Sequence, residues 1–218
     1  MDTRSRTTGL RWLQFTAVLA ALALTETLRA QALSGAGLVA ALRQGGYVLV
    51  MRHASSPLAT PDKDTADPEN TALERQLDET GRETARDMGM AIKQLGIPIG
   101  TVFCSPAYRA LETVRLASLA NPRPVPELNV GVGTQNMTQA AADTTRSAWL
   151  RKEVGEGTRS GTDTLIVTHA PNILAAFREN AAGLVDGETL VFRPDGKGGA
   201  TLVARVRIEE WAHLVAEK

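Results

Sequence analysis

Three short segments carry residue types suited to one chemistry: Arg52-His53, Ser105-Pro106 with Arg109, and Thr168-His169. The chain has only three histidines, and two of them directly follow apolar runs, Tyr47–Met51 and Thr164–Val167. Histidine titrates nearest neutrality, so it serves as a nucleophile or proton carrier without drastic tuning. An arginine guanidinium is a planar fork that grips phosphate oxygens bidentately. Two histidines and two arginines brought together form a kit for phosphoryl transfer that calls for no metal and no organic cofactor.

Elements that would bring them together are legible in the pattern. Ser34 caps a first helix through Leu38, Val39, Ala41 and Leu42, closed by Gly45-Gly46. A strand over Tyr47–Met51 then delivers Arg52-His53, and a polar loop runs from Ala54 to Arg75. Thr80-Gly81-Arg82-Glu83 has capping-box spacing ahead of a helix with Ala85, Met88, Ile92 and Leu95 on one face. Ile97–Cys104 reads as a second strand, and Ser105-Pro106 as the cap and first residue of another helix. Residues 121–137 lack periodicity, and a helix follows over Gln139–Val154. Thr164–Val167 is a third strand, Pro171 opens a further helix, and Glu188–Arg193 pairs with Thr201–Ile208. Strands alternating with helices predict an α/β fold: a three-layer α/β/α sandwich around a mostly parallel sheet. In such sheets ligands bind beyond the carboxyl ends of the strands, where all three chemical segments fall.

The set resembles the histidine phosphatase superfamily, the phosphoglycerate-mutase-like fold, over most of residues 45–210. The Arg-His-Gly signature is matched by Arg52-His53-Ala54, with alanine in place of glycine. The Ser-Pro-x-x-Arg-Ala-x-x-Thr signature is matched from Ser105 to Thr113, and the strand ending in histidine by Leu165–His169. The resemblance implies that His53 is the nucleophile and forms a phosphohistidine. It implies that Arg52, Arg109 and His169 hold the phosphoryl oxygens and balance the charge developing on them. Alanine disfavours positive φ, so an altered turn is expected at Ala54.

Many members of the superfamily carry a carboxyl group that protonates the leaving group, within a Leu-x-Glu pattern. Here the comparable stretch is Glu127-Leu128-Asn129-Val130-Gly131, and Val130 stands at the acid position. In this the chain is closest to the small bacterial phosphohistidine phosphatase-like members. A phosphoramidate nitrogen leaves more readily than an alkoxide and needs less acid help. Glu127 is the nearest replacement acid, followed by Asp64, Asp67 and Glu69 in the first loop. Alanine after His169 does not match the His-Asp branch of acid phosphatases and phytases. Three readings therefore stand: a phosphatase acting on a phosphomonoester or phosphoramidate, a mutase, and a binding module for phosphate or a phosphorylated ligand.

The remaining features bound partners and compartment. Lys+Arg and Asp+Glu balance at 24 each, and residues 33–218 carry 20 and 22. That balance supplies no reason to expect nucleic-acid or anionic-membrane binding, and leaves a small phosphorylated substrate as the partner. Arg4, Arg6 and Arg11 precede an apolar run from Trp12 to Leu24, and Ala30-Gln31-Ala32 has the form of a cleavage site. Residues 1–32 thus read as a signal peptide, with cleavage near Ala32-Leu33 and residues 33–218 as a periplasmic or secreted domain. The apolar run is shorter than the roughly 20 residues of a membrane span. Cys104 reads as a small buried hydrophobe and His213 as a structural or surface residue.

Overall fold

Strict alternation along the central strands sorts their side chains between two cores. Leu49 and Met51 of β1 (Val48–Arg52) join one cluster, while Val48 and Val50 join the other. The same split runs through β4 (Asp163–Thr168), with Leu165 and Val167 on one face and Ile166 on the opposite face. A strand hydrophobic on both faces must be covered on both, which demands helices above and below. The computed structural model describes residues 32–57, 71–130 and 139–216, and shows that arrangement. The signal-peptide reading and Asp64, Asp67 and Glu69 fall outside the described residues.

The first core receives α1 (Gly35–Leu42), α2 (Glu79–Leu95), α3 (Tyr108–Ala117) and, through Trp211, α6 (Glu210–Ala216). The second receives α4 (Gln139–Glu156) through Leu150 and Val154, and α5 (Ala170–Phe177) through Ile173 and Ala176. Between them lies a six-stranded sheet with β2 (Ile99–Cys104), β3 (Pro122–Pro124), β5 (Thr189–Pro194) and β6 (Ala200–Val206), in the order β3-β2-β4-β1-β5-β6. β3, β2, β4 and β1 pair in parallel, and β5 and β6 add an antiparallel edge. The three-layer, mostly parallel α/β expectation holds.

Several local readings change. The N-cap of α2 is Asp78, whose carboxylate accepts from the Gly81 N–H at 2.7 Å, rather than Thr80. Aspartate caps at least as well as threonine, and starting earlier places Glu79 in the first turn, where the helix dipole favours an anion. Ser105-Pro106 does not open α3. That helix starts at Tyr108, and the Tyr108 N–H donates to Glu74 Oε2 at 2.6 Å, a partner distant in sequence. The stretch after α3 contains the edge strand β3, whose prolines fit an edge position. Gly89 sits where a side chain would collide with the Ala117 carbonyl, at 2.0 Å from an added Cβ, so glycine lets α2 lie directly against the end of α3.

Asp163, at the amino end of β4, is fully buried. Its Oδ1 accepts from the Tyr47 N–H at 2.9 Å, while Oδ2 has no hydrogen-bond partner. Burial raises its pKa to about 7. At this group folding therefore takes up a proton between the unfolded pKa of about 4 and the folded one, so the contribution of Asp163 to stability falls as pH rises through that window. Because the buried histidines act with the opposite sign, the effect is read as a difference: relative to Asp163→Asn, the wild type should lose on the order of a few kcal/mol between pH 4 and pH 7 in urea unfolding. A difference between the two proteins that stays constant over that range would contradict the assignment.

Candidate active site

The parallel register carries the chemistry to one edge. Arg52 lies opposite Thr168, and Cys104 opposite Val167. The ladder then continues one residue past each strand: the His53 N–H donates to the Thr168 carbonyl and the Ser105 N–H to the Val167 carbonyl, both at 2.9 Å. The rings of His53 and His169 end up edge to face, with centroids 5.3 Å apart.

Arg52, His53, Arg109 and His169, all expected from the sequence, line a common cavity of about 390 Å³. Val130, Ala170 and Pro171 supply its apolar wall. Arg75, which nothing in the sequence pattern had marked, completes it, with Nη2 3.4 Å from His53 Nε2. Arg75 ends the polar stretch, and no local spacing reveals that its guanidinium comes to lie beside His53. Glu127 is not part of the cavity wall. It lies on a 3₁₀ turn (Pro126–Leu128) whose buried residue is Leu128, and the structure does not place it among the residues lining the cavity with His53.

Each functional side chain has a support behind it. His53 Nδ1 is 2.8 Å from the Ala54 carbonyl, an acceptor only, so the proton of the neutral ring resides on Nδ1 and Nε2 carries a lone pair. Arg52 pairs with Asp186 (Nη2–Oδ1 2.5 Å) and donates to the Leu184 carbonyl at 3.3 Å. The turn that supplies those partners is tied to the same strand end: the Gly187 N–H donates to the His53 carbonyl and the Arg52 N–H to the Glu188 carbonyl. Arg109 is almost fully buried on the first turn of α3. Thr113 accepts from the Ala54 N–H at 3.1 Å and donates to the Arg109 carbonyl at 2.7 Å, so one hydroxyl joins the first two motifs. Ala54 is not among the residues with positive φ, and its methyl sits in the core, so the turn expected to be altered is not strained.

Electrostatics follow from burial and from the guanidinium cluster. Burial, reinforced by Arg109, Arg75 and Arg52, lowers the His53 pKa to about 3, against the raising effect of its bond to Ala54. Burial likewise holds His169 well below the usual histidine range, helped by Arg109, His53, Arg75 and Arg146. Both rings are neutral at pH 7, while the arginines remain charged. Among the described residues no group of three or more His, Cys, Asp or Glu is placed to hold a metal ion.

No protein-family model and no curated protein matches this sequence. Among solved structures, the protein histidine phosphatase SixA complexed with tungstate superposes with a TM-score of 0.52 at 20% identity, over 75% of this chain and 98% of that one. The fold is that of the histidine phosphatases. A phosphoserine phosphatase from Entamoeba histolytica in complex with phosphoserine shares it at 13% identity, a TM-score of 0.52, and 75% and 98% coverage. So does YhfR of Bacillus stearothermophilus, at 16% identity, a TM-score of 0.50, and 72% and 94% coverage. Within the histidine phosphatase fold described here, the cavity sits at the carboxyl edge of the parallel strands, as expected for open α/β sheets.

Arg75 should contribute directly to anion binding. A charge-assisted hydrogen bond is worth about 1.5–3 kcal/mol, so Arg75→Ala should weaken inorganic phosphate binding about ten- to hundredfold by calorimetry. Unchanged affinity would show that Arg75 packs against His53 without meeting the anion.

Proposed function

We propose that this chain is a histidine phosphatase that hydrolyses a phosphomonoester or phosphoramidate through a phosphohistidine on His53, without a metal. The observation that carries this reading is the unprotonated Nε2 of His53, set among three guanidiniums in one cavity. Two of the solved structures with this fold hold tungstate or phosphoserine, which fits an anion site of this kind.

The chemistry is an in-line displacement. Nε2 of His53 bonds to phosphorus as the bond to the leaving group breaks, and the leaving group departs with the bonding electron pair. Arg52, Arg75 and Arg109 neutralise the charge spread over the phosphoryl oxygens, and His169 donates to one of them. Water then attacks the phosphohistidine, releasing phosphate and regenerating neutral His53. Burial makes His53 available for this without prior deprotonation, because its folded pKa lies far below neutrality.

Val130, not a carboxyl group, faces the cavity at the position compared with the family's acid. The reading therefore favours leaving groups that need little protonation, such as a phosphoramidate nitrogen or an aryl oxide. With residues 1–32 as a cleaved signal peptide, we place the mature enzyme in the periplasm or outside the cell, so the substrate belongs there too.

An aryl phosphate assayed in the presence of chelator tests the proposal. Wild type should turn over with EDTA present, and rapid acid-free quench should trap a base-stable phosphohistidine. His53→Ala should lose activity by at least about a thousandfold, since removal of the nucleophile leaves only binding and charge stabilisation. Binding of phosphate without any adduct would favour the binding-module reading. The sign of the pH dependence is also set. A lowered histidine pKa moves protonation of the nucleophile to lower pH, so kcat/KM should hold down to about pH 5 once substrate ionisation is corrected for. An acid limb centred near pH 6.5 would contradict a buried, neutral His53.

A further inference from the structure

The two ring nitrogens of His169 meet different surroundings. Nε2 lies 2.8 Å from Ser105 Oγ. Nδ1 is buried without a hydrogen-bond partner, on a ring that lines the cavity. The ring is neutral and so carries one proton. With that proton on Nδ1, the ring donates to an anion in the cavity and Nε2 must accept. With the proton on Nε2, a lone pair faces the anion and repels it.

The hydroxyl of Ser105 chooses between these states. Its single proton has two acceptors in reach: His169 Nε2 at 2.8 Å and Asn129 Oδ1 at 3.4 Å. Asn129 Oδ1 already accepts from the Val130 N–H at 2.9 Å, which identifies that atom as the amide oxygen. Ser105 Oγ in turn accepts from the Ala107 N–H at 3.2 Å, which occupies one of its lone pairs. The shorter path leads to the histidine. Ser105 has no freedom to drift from it, because it is fully buried and its backbone continues the β2–β4 ladder. Since α3 begins at Tyr108, capped by Glu74, the serine hydroxyl is not used as a helix cap.

We propose that Ser105 is a positioning residue: its hydroxyl donates to His169 Nε2, fixes the Nδ1–H tautomer, and aims that proton at the transferred phosphoryl group. The inference rests on the phosphatase reading of the cavity. Asn129 is the alternative resting place for the same proton, so rotation of one hydroxyl separates a donating His169 from a repelling one.

Nitrogen-15 spectra of the full chain labelled in its histidine rings test this directly, with His213→Gln to assign the exposed ring. Wild type should show His169 protonated at Nδ1 and bare at Nε2. Ser105→Ala should shift His169 toward the Nε2–H form and lower kcat about ten- to hundredfold, as loss of an orienting partner does elsewhere. Ser105→Thr, which keeps the hydroxyl, should restore both signals. An Nε2–H ring in wild type, or an unchanged tautomer in Ser105→Ala, would overturn the role. Titration of the wild type with inorganic phosphate separates the two levels. No binding would remove the phosphatase reading and the target of the proton, while the tautomer pattern decides the Ser105–His169 link by itself.

Discussion

The bond from the His53 N–H to the Thr168 carbonyl, 2.9 Å long, extends the parallel pairing of β1 and β4 by one residue. On it depends the meeting of two histidines 116 positions apart, because side chains alternate along a strand. A shift of one residue would turn one ring into the core and leave the other alone at the edge. The two cores make such a shift costly, since it would exchange the buried sets Val48/Val50 and Leu49/Met51 between opposite faces. Packing far from the cavity thus determines its geometry.

The second constraint is charge. Three guanidiniums converge on two rings, and the protein answers with neutral histidines inside and carboxylates outside. Asp186 binds Arg52 from behind, and Glu74, next to Arg75, holds the start of the helix that carries Arg109. These carboxylates are not among the cavity residues, so they orient the arginines without competing with an anionic ligand. The burial that suppresses protonation of His53 also leaves the ring neutral among the charged guanidiniums.

The motifs act through their minor members as well as their major ones. Thr113 and Ser105 accompany Arg109 in one signature, and each hydroxyl bridges to another segment: Thr113 to Ala54, Ser105 to His169. Those bridges join the ends of β1, β2 and β4 into one polar unit beneath the cavity. Small hydroxyls suit this task, since each offers a donor and an acceptor in little space.

The sequence by itself determined the elements and the four central side chains. Apolar runs ending in Arg52-His53 and His169, with helical periodicity between them, imply strands, their covering layers and the edge where chemistry collects. Those features are local, because alternation and helical period are written in neighbouring residues. Tertiary structure alone decided the rest. Arg75 lies beside His53, Glu74 caps a helix 34 residues away, Asp186 pins Arg52 across 134 residues, and Glu127 is not among the residues that line the cavity. The same holds for the Ser105 hydroxyl, which reads locally as a helix cap and in the fold serves a histidine on the adjacent strand. A side chain's partner depends on which strands pair and in what register, and that is settled by burial of the whole chain rather than by any stretch of it.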